Sequence, residues 1–171
     1  MDLIEGILTR HSVRNYDVNK KATTEQIEQI LRCAMQAPSA MNKQPWHFVV
    51  VTDGATLSAI QNVHPYAGFL EQAGTAIVVV ADSENCWEEY WKVDPMLAGQ
   101  NILLSAHALG LSTCWCGVYP NEQHMENLRH ILNIPSNHKP IALIALGTAN
   151  SSEKHHVASR FNPQRVHRNE W

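Results

Sequence analysis

The residues best equipped for chemistry lie near the start of the chain, in the run "RHSVRNY" at 10–16. Arg10 and Arg14 bring two guanidinium groups, Ser12 a hydroxyl and His11 an imidazole. An arginine fork donates paired hydrogen bonds to phosphate or carboxylate oxygens. A phosphate monoester carries about −1.5 to −2 charge near neutral pH and presents three acceptor oxygens. In an extended segment, residues 10, 12 and 14 share one side, and backbone amides can complete such a cradle. The alternative is a solvated basic turn with ordinary surface pairs, because short motifs often match by chance.

A second stretch, "APSAMNKQPWHFVVV" at 37–51, offers a different chemistry. Ser39, Asn42 and Gln44 present donors and acceptors without charge, between Pro38 and Pro45. Two prolines lower the entropy cost of holding such a loop. A neutral, planar, hydrogen-bonding ligand suits it. Equally, these side chains could only satisfy the loop's own backbone.

Cys114 and Cys116 flank Trp115, and in a strand both thiols point to one side. A metal there needs further ligands, and His155 with His156 could complete a Cys2His2 set. No recognisable ligand spacing supports that set, so no metal is expected. Asn62, His64 and Tyr66 could form a lid over a pocket, or an ordinary surface loop. Trp87 and Trp91 lie one helical turn apart and fit packing better than substrate stacking. No persuasive Ser-His-Asp set exists, and no catalytic side chain is nominated.

These residues must be positioned by a mixed set of elements. Residues 2–10 read as a short amphipathic helix capped by Asp2, with Leu3, Ile4, Ile7 and Leu8 on one face. Residues 22–37 form a second helix with a Thr23/Gln26 capping box, stopped by Pro38. Apolar runs at 46–52, 75–82, 111–120 and 139–148 read as strands, the first two buried on both faces. A short helix from Asp53 to about Gln61 precedes an irregular stretch at 62–74. The pattern at 84–109 is helical, with Pro95 predicting two helices or one kinked one. Asn121 caps a further helix, and the last 23 residues are polar and aperiodic. The order is not a βαβ alternation. It predicts an α+β fold, a small sheet wrapped by helices, with residues 1–171 as one domain and a tail suited to embracing a neighbour.

Composition narrows the function classes. Of 171 residues, 44% are hydrophobic and 17% charged, which suits a folded globular domain. A net charge of −3 argues against a general nucleic-acid or anionic-membrane binder. No apolar run approaches the roughly 18 residues of a membrane helix, and "MDLIEGILTR" lacks a basic leader region. Four cysteines without a CxxC pair predict reduced thiols and a cytoplasmic location.

"RHSVRNY", "APSAMNKQPWHFVVV", "AGQNILLSAHALGLSTCWCGVYP" at 98–120 and "RFNPQRVHRNEW" at 160–171, in this order, resemble the short-chain branch of the nitroreductase family of FMN-dependent oxidoreductases. The resemblance implies the nitroreductase fold and a homodimer with FMN at the interface, each site built from both chains. By it, Arg10 and Ser12 hold the FMN phosphate with His11 nearby, and Arg14 reaches the pyrimidine side of the flavin. Pro38, Ser39 and Asn42 come from the partner, Cys116, Gly117 and Val118 run along the flavin edge, and Arg160 returns to the phosphate. One version of the tail pattern has a lysine two residues before that arginine. Ala158 stands there, leaving Arg165 and Lys154 as the other candidate helpers. The implied activity is ping-pong hydride transfer from NAD(P)H to nitroaromatics, quinones or similar acceptors. A non-catalytic flavin store or sensor, or a specialised reaction such as reductive dehalogenation or flavin breakdown, is the alternative.

Overall fold

The computed structural model describes residues 1–153 and 159–171. Its α-helices are α1 (Leu3–Thr9), α2 (Thr24–Ala34), α3 (Gly54–Val63), α4 (Leu70–Ala73), α5 (Asp94–Ala108) and α6 (Glu122–Ile131). Its strands are β1 (Trp46–Val51), β2 (Thr75–Asp82), β3 (Ser112–Gly117) and β4 (His138–Gly147). The strands form one antiparallel sheet in the order β1-β2-β4-β3, which places β1 and β3 on opposite edges. The predicted α+β architecture is what the chain adopts.

The two central strands are apolar on both faces because both faces are covered. Ile77, Val79, Ile144 and Leu146 pack with α2 and α5, through Ile30, Ala34, Ile102 and Ala106. Val78, Val80, Leu143 and Ala145 pack on the other face with Leu57, Ile60, Leu70 and Leu128 of α3, α4 and α6. Side-chain oxygens close the helix starts as their residue types require: Asp2, Thr23, Asp53 and Asn121 all accept from first-turn amides.

One expectation is narrowed and two need correction. Pro95 does not kink a continuous helix: the 84–109 pattern divides just before it, into a single 3-10 turn at Tyr90–Lys92 and α5. Pro95 sits in the first turn of α5, where its missing N–H has no helical partner to lose. The stretch at 62–74 is partly ordered, holding α4 and ending on Gly74 at φ 75°. The run at 46–52 is not buried on both faces: β1 is an edge strand on which His47 and Val50 are exposed. The apolar face of α1 lies open within the chain, with Leu3, Ile4, Ile7 and Leu8 50–69% exposed. No helix among the described residues is long and apolar enough to cross a membrane.

Candidate functional site

The 10–16 run is laid along an edge of the sheet. Arg10 leaves α1 with extended backbone at ψ 130°. The Val13 amide then donates to the Thr113 carbonyl at 3.0 Å, and Ser12 bridges Thr113 in parallel register. Val13 is buried, and the buried Tyr16 hydroxyl donates to the Val13 carbonyl at 2.8 Å. With those two residues turned inward, Ser12 and Arg14 face solvent and Arg10 is half-buried. The Thr9 hydroxyl, which donates to the Glu5 carbonyl, lies 2.8 Å from His107 Nε2 and ties this corner to α5. Among the described residues no carboxylate pairs with Arg10 or Arg14, although other basic side chains have such partners.

β3 is the edge strand, so alternate residues turn their backbone groups away from β4. Thr113 and Gly117 do so, their carbonyls accepting from Val13 and from His64 Nε2. Trp115, midway between them, shares that orientation. Beside this edge opens a cavity of about 490 Å³, lined by Arg14, Pro65, Tyr66, Gly68, Phe69, Cys114, Trp115, Cys116 and Gly117. A positive group, an open strand edge and aromatic walls thus meet in one place. Gly99 of α5 brings β3 close to the helix: a Cβ there would lie 2.5 Å from the Trp115 ring.

The local electrostatics follow from these neighbours. A hydrogen bond with Cys116 holds the Cys114 thiol down to about 7 against the opposing effect of burial, with Arg14, Ser12 and Arg10 adding to the depression. The same pairing and burial push Cys116 up. Burial, then the nearby thiols, pushes Tyr16 above the usual phenol range. Burial lowers His64, whose Nε2–H donates to the Gly117 carbonyl at 3.0 Å while Nδ1 accepts from the Tyr66 amide.

The amide-bearing loop lies elsewhere. It runs into β1, at the opposite edge of the sheet. Met41, Asn42 and Gln44 all have positive φ, between 51° and 53°, which costs about 1 kcal/mol or more at each non-glycine position. Neighbours hold that shape. Ser39 Oγ accepts from the Gln44 amide, Asn42 Oδ1 accepts from Gln44 Nε2, and the buried Asp94 carboxylate accepts from the Ala40 amide at 3.0 Å.

Arg10, His11, Ser12, Arg14, Cys116 and Gly117 therefore gather on the β3 side, while Pro38, Ser39 and Asn42 do not join them within one chain. Val118 is buried, and its carbonyl accepts from the Asn121 amide. Arg160 and Arg165 are exposed in the tail. Lys154, His155, His156 and Ala158 lie outside the described residues. His64 proves to be a buried latch, and Tyr66 an exposed wall of the cavity. Sequence reasoning did not single out Phe69 or Pro65. Their only signal was an aromatic residue and a proline in a stretch without periodicity.

A model of the nitroreductase family matches residues 7–67 and 62–148. A Methanothermobacter thermautotrophicus protein with the provisional name NADH dehydrogenase/NAD(P)H nitroreductase is 40% identical over 172 residues, covering 100% of this chain and 88% of that protein. A crystal structure of a Clostridium acetobutylicum protein, provisionally an NADH oxidase, superposes with a TM-score of 0.90 at 40% identity, covering 99% of this chain and 100% of that one. An FMN-dependent nitroreductase from Clostridium difficile R20291 superposes with a TM-score of 0.89 at 29% identity, covering 98% and 99%. By sequence match and by fold alike, the chain belongs to the nitroreductase family.

Proposed function

We propose that the chain is an FMN-dependent NAD(P)H:acceptor oxidoreductase working as a homodimer, each of its two sites built from both chains. One observation carries this reading. The guanidinium run lies on the β3 edge, and the loop with Ser39 and Asn42 enters the β1 edge of the same sheet. Three strand spacings separate those edges, about 14 Å, which supports a loop supplied by a second copy. The apolar surface left open fits such a copy: α1 exposes its apolar face, and Phe161 and Trp171 are 77% and 99% exposed.

The donor set suits the cofactor. Arg10, Ser12 and His11 hold the phosphate, where no carboxylate competes among the described residues. Arg14, beside the cavity, stabilises negative charge on the pyrimidine side of the ring. The partner subunit's Pro38, Ser39 and Asn42 line the ring, with Arg160 reaching the phosphate from the tail. The open edge of β3 offers the Gly117 amide hydrogen, next to Cys116, whose own backbone groups face β4; the Gly117 and Val118 carbonyls are already engaged within the chain. When bound, FMN supplies the transfer of a hydride equivalent from NAD(P)H to a conjugated acceptor such as a nitroaromatic or a quinone. The protein then needs no acid, base or nucleophile of its own. Donor and acceptor take turns beside Arg14, which is ping-pong turnover. The family membership and the FMN dependence of a 29%-identical structural relative support the reading.

The test is spectroscopic. Purified protein should carry flavin absorbance and bleach anaerobically with NADH or NADPH, recovering its colour on addition of a quinone. Flavin retained but not reduced by either nucleotide would favour a store or sensor instead.

A further inference from the structure

The other end of the sheet carries a cluster that the flavin reading does not use. His47 on β1, Asp82 on β2 and His138 on β4 each bring a donor atom within 4.8 Å of the other two. We propose that these three residues form a binding site for a divalent transition metal of the zinc class, with water in the remaining positions.

Register explains the convergence. His47 pairs with Val80, so Asp82, two residues on, shares its face. Asp82 pairs with His138 only because of an irregularity between β2 and β4. Val79 faces Ala142, yet Val80 faces Pro140, leaving Ile141 as an extra residue. Without that bulge Asp82 would face Lys139, and His138 would turn to the opposite face. The bulge therefore replaces a cation with an imidazole opposite the carboxylate.

The surroundings leave the right atoms available. His138 Nδ1 lies 2.9 Å from Asn137 Oδ1, a contact in which Nδ1–H donates and Nε2 keeps its lone pair. Asn137 Nδ2 donates in turn to Glu84. One Asp82 oxygen accepts the Glu84 and Asn85 amides, each at 3.0 Å, which fixes the carboxylate and leaves the second oxygen for a ligand. Two imidazole nitrogens and a carboxylate suit zinc and its neighbours rather than magnesium or calcium. Metal bonds of about 2.0–2.1 Å place tetrahedral donors about 3.3 Å apart. The exposed His47 side chain can close the remaining gap. The cluster shares no residue with the cavity beside Arg14.

Chelator-treated, full-length protein should bind one Zn2+ per chain by calorimetric titration. His47→Ala, at an exposed position, should weaken binding at least tenfold, as should Asp82→Asn. Asn137→Ala should weaken it about 10–100-fold by freeing His138. Cys33→Ser should leave it unchanged. Co2+ should give the visible bands of a nitrogen- and oxygen-ligated ion in the wild type and lose them in His47→Ala, with circular dichroism confirming that the variant is folded. The proposal is overturned by no Zn2+ uptake at millimolar concentration, or by equal affinity in the wild type and in folded His47→Ala and Asp82→Asn proteins.

Discussion

The amide of Val13 donates to the carbonyl of Thr113 at 3.0 Å. That bond seats an otherwise irregular segment on the free edge of β3, and it sets Arg14 against Cys114 and its neighbours. The placement of the guanidinium groups rests on a backbone pairing rather than on side-chain contacts.

Cys114 reports this arrangement. Its thiol is held down to about 7 by Cys116 first, then by Arg14, Ser12 and Arg10, against its burial. Thiolate absorbance titrated against pH, with Cys114→Ser as the blank, should show a midpoint near neutrality. Cys116→Ala should move that midpoint upward the most, and Arg14→Ala should move it upward by less. An unmoved midpoint in Arg14→Ala would place the guanidinium away from the thiol.

His64 should impose an acid limit on stability. Burial disfavours its imidazolium, so the unfolded chain takes up a proton near 6.5 while the folded chain does so only at lower pH. The stabilisation is whole above pH 6.5 and is lost as pH falls from there through the lowered value. Protonation also removes the acceptor that Nδ1 offers to the Tyr66 amide. Urea midpoints measured from pH 7.5 to 5 should fall in the wild type and fall less steeply in His64→Asn. Parallel curves would count against this role.

Gly99 is fixed by the ring beside it. Alanine in a helix interior gains about 1 kcal/mol over glycine, but a Cβ here meets Trp115 at 2.5 Å. Overpacking of this kind costs about 1–3 kcal/mol, so the clash should win. Gly99→Ala should melt a few degrees lower and, because Trp115 lines the cavity, bind flavin more weakly. A melting point at or above that of the wild type would show that the ring yields freely.

Asp94 should act on the site at a distance. It is buried and holds the Ala40 amide. Asp94→Ala leaves that amide without its acceptor, a loss of about 1–3 kcal/mol, and loosens the loop bearing Ser39 and Asn42. FMN fluorescence titration should show weaker binding in Asp94→Ala and substantial recovery in Asp94→Asn, which keeps an acceptor oxygen. Equal affinity in all three proteins would separate the loop from flavin binding.

Much of this was legible in the residues, and the failures have physical causes. The run at 75–82 announces a strand because two covered faces leave no polar positions; the run at 46–52 reads alike, yet β1 is an edge strand with His47 and Val50 exposed, because neighbouring β2 and not β1 sits in the middle of the sheet. Thr23 with Gln26 marks a helix start because the pair satisfies two free amides at once. Pro95 leaves two readings open because its meaning depends on where the helix begins, which tertiary packing decides. The apolar face of α1 was legible from its spacing, but what covers it was not, because within one chain it lies open. The identity of Arg10, Ser12 and Arg14 as a group was readable from alternation and from resemblance. The walls at Tyr66 and Phe69, and the meeting of His47, Asp82 and His138, depend on register and on a single bulge that no local pattern encodes.

The central claim is that the guanidinium run of one chain and the amide loop of another share each flavin. Arg14→Ala and Asn42→Ala should each weaken FMN binding, about tenfold or more for the charged contact. The decisive measurement is an FMN titration of the two variants unfolded together and refolded as a mixture. In a mixed dimer, one site then combines the intact Arg14 of one chain with the intact Asn42 of the other. About a quarter of all sites should regain wild-type affinity. Recovery of none, with mixed dimers shown to form, would contradict a site shared between chains.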